Sequence, residues 1–336
     1  MKRDVRISVI RMICTLAVVV LHITQQLERL YTPMRFLTDW LNLGLVMFFC
    51  ISAFLYSQRE ITKVPKWYLH RYLEIAIPSL IVGVITVAIF CAKGTMTADK
   101  LIGSLLSCAG LQVYAPNPWM FVQLWFITYL LFFYLTVPLV QKIKCKEVPA
   151  VRFWVIMAVS VIVLQAVSFA VETVTGITLL SVGVLLRFYL PYFAFKRYDI
   201  NGDEIKPVMR LFTALSVPAI GVACWVRYTP NIGIPAGMAE VLFIYVQTIA
   251  GFALFYWLYR GFAWVKKYSK VLKLADKYSY EIYLTHCLFI GYSTSLIWNI
   301  PNIVVGIIAA LAATAVSSVI LNYLSNAIKK PLRKYF

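Results

Sequence analysis

Apolar runs of about 18 residues or more recur along the whole chain, and a run of that length can cross the hydrocarbon core of a bilayer as a helix. Of the 336 residues, 61% are hydrophobic and 14% are charged, whereas soluble domains carry about 25% charged residues. The sequence therefore predicts an all-α, polytopic transmembrane helical bundle that forms a single domain over residues 1–336. About ten spans are expected, at 7–27, 37–57, 74–92, 120–140, 152–171, 178–195, 209–226, 238–258, 279–297 and 301–324.

Basic residues are concentrated on one side of these spans. Most of the 32 Lys and Arg residues fall in the segments on the same side as the N-terminus. Because Lys and Arg are retained on the cytoplasmic side of membrane proteins, we expect both termini to be cytoplasmic. The same placement explains the net charge of +18 by the orientation of the chain in a lipid bilayer and argues against nucleic-acid binding.

Other sequence features exclude several kinds of chemistry. The seven cysteines are scattered without a CxxC pair or a metal-site spacing, and no Gly-rich phosphate loop occurs. We therefore expect no disulfide, no metal and no ATP hydrolysis. The segments between spans are short, so no soluble catalytic domain is expected. The outer segment 93–119 includes the turn APNPW, and 264–279 is typical of a basic amphipathic helix on anionic lipid.

The first span places Arg11 and His22 inside an apolar run. At about 100° per residue, the eleven residues from Arg11 to His22 turn the helix by roughly 20° more than three full turns. Both side chains therefore point from one helix face, about 16 Å apart along the axis. An Arg inside a bilayer costs about 2.5–3.5 kcal/mol or more, so its default interpretation is functional. Arg11 lies near the cytoplasmic boundary and His22 beyond the midplane. The alternative is that Arg11 reaches the headgroups while His22 hydrogen-bonds a neighbouring helix.

The cytoplasmic end of the third span, HRYLEIAIP, carries His70, Arg71 and Glu74. Arg71 lies on the same side of the membrane as Arg11, and guanidinium groups bind phosphate or pyrophosphate oxygens bidentately. This motif therefore indicates a site for an anionic ligand. The alternative is a cytoplasmic anchor in which Glu74 pairs with Arg71 or His70.

Two later spans hold further polar or aromatic candidates. Trp125, in LWFITYLLFFY, either lines a cavity or belongs to the interfacial aromatic belt. In DKYSYEIYLTH, which opens the ninth span, Tyr283 and His286 share a face while Glu281 points elsewhere. A Glu and a His within a span need partners. Arg187, in the sixth span, is a further buried cation, and its pairing with a carboxylate such as Glu281 is left open.

A polar interior with a basic cytoplasmic mouth fits two classes of membrane protein. One is an enzyme that takes an anionic cytosolic cofactor and acts at the far face; the other is a secondary transporter of an anionic or proton-coupled solute. Composition does not choose between them, although the lack of two matching halves with broken helices weakens the transporter hypothesis. A third class, a non-catalytic partner in a larger assembly, would require neither Arg11 nor His22.

Five stretches follow one another along the chain: R-x10-H at 11–22, FFCISAFLYS at 48–57, HRYLEIAIP at 70–78, LWFI at 124–127 and SYEIYLTH at 279–286. In this order they resemble the acyltransferase-3 family of integral-membrane acyltransferases. Two departures are Ala53, where the family has Gly, and His70 with Glu74, where relatives often carry Arg, so that Arg71 is the single clear cation of its motif. The resemblance also leads us to expect a standalone member without the SGNH hydrolase-like domain of some relatives.

The resemblance implies O-acylation, most often O-acetylation, of a cell-surface or lipid-linked carbohydrate at the outer face of a bacterial cytoplasmic (inner) membrane. The implied donor is cytosolic acyl-CoA, most often acetyl-CoA, held by Arg11, Arg71 and His70. His22 is then the catalytic residue, as general base on the acceptor hydroxyl or as acyl carrier. His286 is a second candidate, for which a structural hydrogen bond is the alternative. The residues assigned to the substrate pocket or its support are Ser52, Trp125, Arg187, Tyr280, Glu281, Tyr283 and His286.

Overall fold

The computed structural model describes residues 4–116, 123–176, 179–229, 232–267, 269–291 and 294–332. The chain is 82% helical and has no strand in those ranges, which confirms the predicted all-α class. Residues 117–119 of the APNPW turn lie outside the described residues. So do residues 120–122, 178 and 292–293, which belong to the predicted spans 120–140, 178–195 and 279–297. The helices are α1 Val5–Leu27, α2 Met34–Leu41, α3 Leu43–Ser57, α4 Val64–Ala92, α5 Ala98–Cys108, α6 Trp125–Val140, α7 Ala150–Thr175, α8 Val182–Arg197, α9 Ile205–Tyr228, α10 Ala236–Gly261, α11 Lys270–Ile290, α12 Leu296–Asn299 and α13 Ile303–Leu332.

Seven helical segments in the described part of the chain are long and apolar enough to cross a membrane. They are α1, the consecutive helices α2 and α3, α4, α7, α9, α10 and α13. Three other predicted spans coincide with α6 and α8, which have 16 residues each, and with α11, which opens with basic residues. The chain is thus a multi-pass membrane protein.

Several helices begin before the spans predicted from hydropathy. The third span was expected from residue 74, but α4 begins at Val64, with a proline in its first turn. A proline is tolerated there because the first amides of a helix have no intrahelical acceptor. The ninth span was expected from 279, but α11 begins at Lys270, where the Ser269 side chain accepts a hydrogen bond from the Leu272 amide. Residues 270–279 of the basic stretch therefore form the first turns of α11.

The chain divides into two compact units, each assembled from separate segments. Unit 1 comprises Met1–Cys14, Asn42–Glu60 and Leu139–Lys267; unit 2 comprises Thr15–Leu41, Ile61–Pro138 and Tyr268–Phe336. The core of unit 1 is aromatic, with Phe195, Phe252 and Phe255 fully or almost fully buried.

Unit 2 holds the second half of α1 together with α11, α12 and α13. Its smaller core cluster joins Val19 and Ile23 of α1 to Ile290 of α11 and Ala310 of α13. Val19 and Ile23 lie three residues before and one residue after His22, and Ile290 lies four residues after His286. This apolar packing therefore holds the two histidine-bearing helices side by side.

Candidate functional site

The structure brings His22 and His286 together in unit 2. Their ring centroids are 4.9 Å apart and their planes are tilted by 43°. His286 is fully buried and His22 is half-buried. A buried imidazole needs hydrogen-bond partners, because an unpaired polar group in an apolar environment costs free energy. Both rings have such partners.

Those partners fix which nitrogen of each ring carries the proton. His22 Nδ1 lies 2.6 Å from Gln25 Oε1, and His286 Nδ1 lies 3.0 Å from the carbonyl oxygen of Ile282. Both oxygens can only accept, so Nδ1 is the donor in each neutral ring and Nε2 keeps its lone pair. The thiol of Cys287, 3.3 Å from His286 Nε2, is positioned to donate to it. The result is two basic ring nitrogens and one thiol in a single buried cluster.

The two tyrosines of the SYEIYLTH motif support this cluster. The ring of Tyr283 lies 6.0 Å from that of His286, as the predicted common face requires, and 6.3 Å from that of Tyr280. The Tyr283 hydroxyl donates to the carbonyl of Gln123, just before α6. The Tyr280 hydroxyl donates to the carbonyl of Ile75 on α4, at 3.0 Å. Both tyrosines therefore tie α11 to neighbouring segments of unit 2.

Glu281 and Glu74 both pair with residues of α13. Glu281 is 4% exposed and accepts a hydrogen bond of 2.8 Å from the Asn322 side chain. Glu74 accepts a 2.8 Å ion-pair hydrogen bond from Lys329, a residue assigned to the cytoplasmic C-terminal segment from the sequence. The partner of Glu74 suggested by its motif was Arg71 or His70, so Lys329 is a partner that the sequence did not indicate.

Arg187 belongs to unit 1 and is 2% exposed. Its Nη2 donates to Gln247 Oε1 at 2.9 Å, and the same oxygen accepts from Asn42 Nδ2 at 3.1 Å. A neutral amide is therefore one of the hydrogen-bond partners of Arg187, and its pairing with a carboxylate such as Glu281 stays a prediction. Gln247 thereby joins α3, α8 and the helix that carries it, α10.

The remaining predicted site residues are half-buried side chains on helices. Trp125 packs its ring against Tyr129, with centroids 5.8 Å apart, so its place is at least partly structural. His70 and Arg71 lie on α4 in unit 2. Arg11 and Ser52 lie on α1 and α3 in unit 1.

Two residues that contact the histidines, Gln25 and Cys287, were not predicted from the sequence. Gln25 lies three residues after His22, a spacing at which side chains of one helix meet, so that signal was present. Cys287 was grouped with the scattered cysteines, and its neighbour His286 was the only sign of its environment. No local signal links His22 to His286, because they lie at opposite ends of the chain.

Comparison with protein families gave one match. The model of the acyltransferase-3 family, described as an acyltransferase domain, matches residues 4–322. The comparison with curated proteins and the comparison with solved structures each gave no significant match. The matched residues include nearly all of both units.

Proposed function

The chain belongs to the acyltransferase-3 family, and from that premise we propose that it is a membrane O-acyltransferase. It moves an acyl group, acetyl in the first instance, from cytosolic acyl-CoA to a hydroxyl of a cell-surface or lipid-linked carbohydrate. We place it in a bacterial cytoplasmic membrane, with ten spans and both termini in the cytoplasm. The acceptor then reaches the site from the extracytoplasmic side.

The observation that supports this proposal is the orientation of His22. Gln25 accepts a hydrogen bond from Nδ1, which leaves the Nε2 lone pair available for a proton. A general base must come within about 3 Å of the hydroxyl that it deprotonates. A neutral imidazole suits this role because its unprotonated ring nitrogen accepts the proton of a hydroxyl as that hydroxyl attacks.

The reaction then proceeds by direct transfer. The acceptor hydroxyl gives its proton to His22 Nε2 while its oxygen attacks the thioester carbonyl of acyl-CoA. The C–S bond breaks, the new ester C–O bond is complete, and the proton from His22 passes to the CoA thiolate. Every proton and electron pair is accounted for, so the reaction needs no further co-reactant.

We propose that basic side chains bind the phosphate groups of the donor. Arg71 and His70 lie one residue apart on α4, and a guanidinium matches the geometry of phosphate oxygens. Arg11, in unit 1, is proposed as a further cation for the donor. Variants of each cation should raise KM for acyl-CoA more than they lower kcat, because the phosphates take no part in bond breaking.

The test is transfer by purified protein in liposomes, with labelled acetyl-CoA and a glycan extract as acceptor. His22→Ala is expected to lose about 10²–10⁴-fold in rate, the usual contribution of a general base. Gln26→Ala is the matched control, because Gln26 lies on the same helix and accepts a hydrogen bond from Trp298 at 2.9 Å. Normal transfer by His22→Ala would remove His22 from catalysis.

Two further outcomes would count against other parts of the proposal. No transfer to any extract, together with passage of a solute across the bilayer, would support a transporter instead. A covalent acyl adduct on His22, trapped in the absence of acceptor, would show that His22 carries the acyl group rather than taking a proton.

A further inference from the structure

Three side chains in unit 2 converge on one buried point. Ligand atoms of His22, His286 and Cys287 all lie within 4.8 Å of one another. His286 is fully buried and Cys287 is 2% exposed. The sequence shows no metal spacing because the ligands come from α1 and α11, at opposite ends of the chain.

The hydrogen bonds around the two rings are those of metal-binding histidines. A metal-bound imidazole usually donates its other N–H to a carbonyl or carboxylate, which fixes the tautomer and aims the free nitrogen. Gln25 Oε1 and the Ile282 carbonyl take the Nδ1 protons of His22 and His286. A metal that binds here displaces the thiol proton of Cys287, which is released to solvent, and the Nε2 lone pair of each ring is then available to the metal.

The spacing of the ligand atoms also approaches that of a coordination sphere. Bonds of about 2.0 Å to nitrogen and about 2.3 Å to sulfur place two ligands of a tetrahedral ion about 3.5 Å apart. His286 Nε2 and Cys287 Sγ are 3.3 Å apart. The widest separation in the cluster is at most 4.8 Å, so a bound metal would draw these ligand atoms together by no more than about 1.3 Å.

We propose that His22, His286 and Cys287 bind one thiophilic metal cation, with Cu⁺ preferred over Zn²⁺. Thiolate and imidazole ligands favour these two ions over hard cations such as Mg²⁺ and Ca²⁺. The choice between them follows from charge. One thiolate and two neutral imidazoles leave a Cu⁺ site neutral and a Zn²⁺ site with one net positive charge, which costs free energy in a buried position.

Metal binding would compete with the proposed chemistry. The lone pair of His22 Nε2 cannot accept a proton while it is bound to a metal, so the loaded form is inactive. This consequence, unlike the binding itself, rests on the proposed function. A chelator should restore transfer to the loaded protein, whereas a protein that binds metal but never transfers acyl groups would contradict the proposed function alone.

The test is metal titration of the purified full chain in detergent. Cu⁺ is added under reducing, oxygen-free conditions in competition with a chromogenic Cu⁺ chelator, and Zn²⁺ is added separately against a zinc indicator. We expect one Cu⁺ per chain and weaker binding of Zn²⁺. Binding of neither ion by the wild-type chain would overturn the proposal, and tighter binding of Zn²⁺ would overturn the choice of ion while supporting the site.

Variants identify the ligands. Changes in residues that only orient a metal ligand already cost about 10–100-fold in affinity, so Cys287→Ser and His286→Ala should each cost more than about 100-fold. The matched controls are His70→Ala, which removes the remaining histidine, and Cys108→Ser, which changes another buried cysteine of unit 2. Both controls should bind Cu⁺ like the wild type.

A spectroscopic measurement covers the case in which a variant fails to fold. Cu⁺ bound to a thiolate gives an ultraviolet sulfur-to-metal charge-transfer band, so the difference spectrum of the wild-type chain with and without Cu⁺ should show this band. Its absence would overturn the assignment of Cys287 as a ligand. Undiminished Cu⁺ binding by a Cys287→Ser protein that melts like the wild type would do the same.

Discussion

The Nδ1 atom of His22 lies 2.6 Å from the amide oxygen of Gln25, three residues later on the same helix. This short hydrogen bond fixes both the tautomer and the orientation of the imidazole. In the proposed reaction Gln25 touches neither substrate nor donor. It is therefore a positioning residue, and its effect on the reaction should differ from that of a binding residue.

Gln25→Ala should lower kcat by about tenfold, the rate equivalent of one hydrogen bond worth about 1.4 kcal/mol. KM for acetyl-CoA should stay the same, since Gln25 does not contact the donor. Gln25→Glu keeps an acceptor for Nδ1 and should recover most of the lost rate. Steady-state kinetics of these two variants, with Gln26→Ala as control, would measure both effects.

A structural role alone would give a different pattern. If Gln25 only stabilised α1, Gln25→Ala and Gln25→Glu would lower activity in proportion to the loss of folded protein. An unchanged kcat in a folded Gln25→Ala protein would show that His22 does not depend on this hydrogen bond.

The helices could be predicted from the sequence because the bilayer requires long apolar runs. Their ends could not, because hydropathy marks only the part of a helix that meets lipid. The helix α4 extends ten residues before the predicted start, through Arg71 and His70, since polar side chains and water satisfy the backbone there as well. Neither the count of ten spans nor the cytoplasmic placement of the termini follows from the helices themselves.

The candidate site was only partly visible in the sequence. The helix period predicts local neighbours such as Tyr283 and His286, which share a face of α11. The contacts of Arg187 with Gln247 and of Glu74 with Lys329 join distant segments, and no periodic pattern indicates them. The sequence could not name the partners of these residues.

The ion pair of Lys329 with Glu74 offers a test of stability within unit 2. The Lys329 side chain is 8% exposed, and its Nζ lies 2.8 Å from Glu74 Oε2. Removing one partner of a buried pair leaves the other charge uncompensated. Lys329→Met should therefore lower the free energy of unfolding by about 3 kcal/mol, near the lower end for buried pairs because Glu74 is partly exposed.

The control for Lys329→Met is its exposed neighbour, in the variant Lys330→Met, which should change stability by less than about 0.5 kcal/mol. The double variant Lys329→Met with Glu74→Gln should recover part of the loss, because neither charge is then left alone. Denaturant unfolding in detergent micelles measures these three variants together with the wild type and the single variant Glu74→Gln. Additive losses in the double variant would contradict a direct interaction.

A second stability prediction concerns Gln247 in unit 1. Its side-chain oxygen accepts hydrogen bonds from both Arg187 and Asn42, at 2.9 and 3.1 Å. Gln247→Leu deprives a buried guanidinium of this acceptor, and a hydrogen bond to a charged group is worth about 1.5–3 kcal/mol. We expect a loss of stability in that range, measured by thermal unfolding and converted with the measured unfolding enthalpy.

Two variants separate the contribution of Arg187 from that of Asn42. Asn42→Ala removes only the neutral hydrogen bond and should cost about 1 kcal/mol. Gln165→Leu is the matched control for an amide-to-leucine change, because Gln165 bonds only the partly buried Tyr245 hydroxyl in the described contacts, at 2.9 Å. A Gln247→Leu protein as stable as Gln165→Leu would show that Arg187 does not depend on Gln247.

The last prediction concerns acid stability at the start of α1. Burial opposes ionisation of Asp4, but hydrogen bonds from the Arg6 side chain, from Tyr259 and from the Arg6 backbone outweigh it and hold the pKa of Asp4 below its ordinary value. The Arg6 Nη2 and the Tyr259 hydroxyl lie 2.8 and 2.7 Å from Asp4 Oδ2. The ionised carboxylate is therefore stabilised in the folded protein relative to the unfolded chain.

A pKa that is lower in the folded state adds stability above the unfolded pKa of about 3.9, and this stability is lost as pH falls through the folded pKa. Asp4→Asn should therefore unfold more readily than the wild type at pH 7, by about 1 kcal/mol. As pH falls below the unfolded pKa and through the lower folded pKa, the wild-type carboxyl is itself protonated, so the difference should shrink. Thermal unfolding of both proteins from neutral pH into this acidic range measures the effect, and a difference that stays constant with pH would rule out ionisation of Asp4 as its cause.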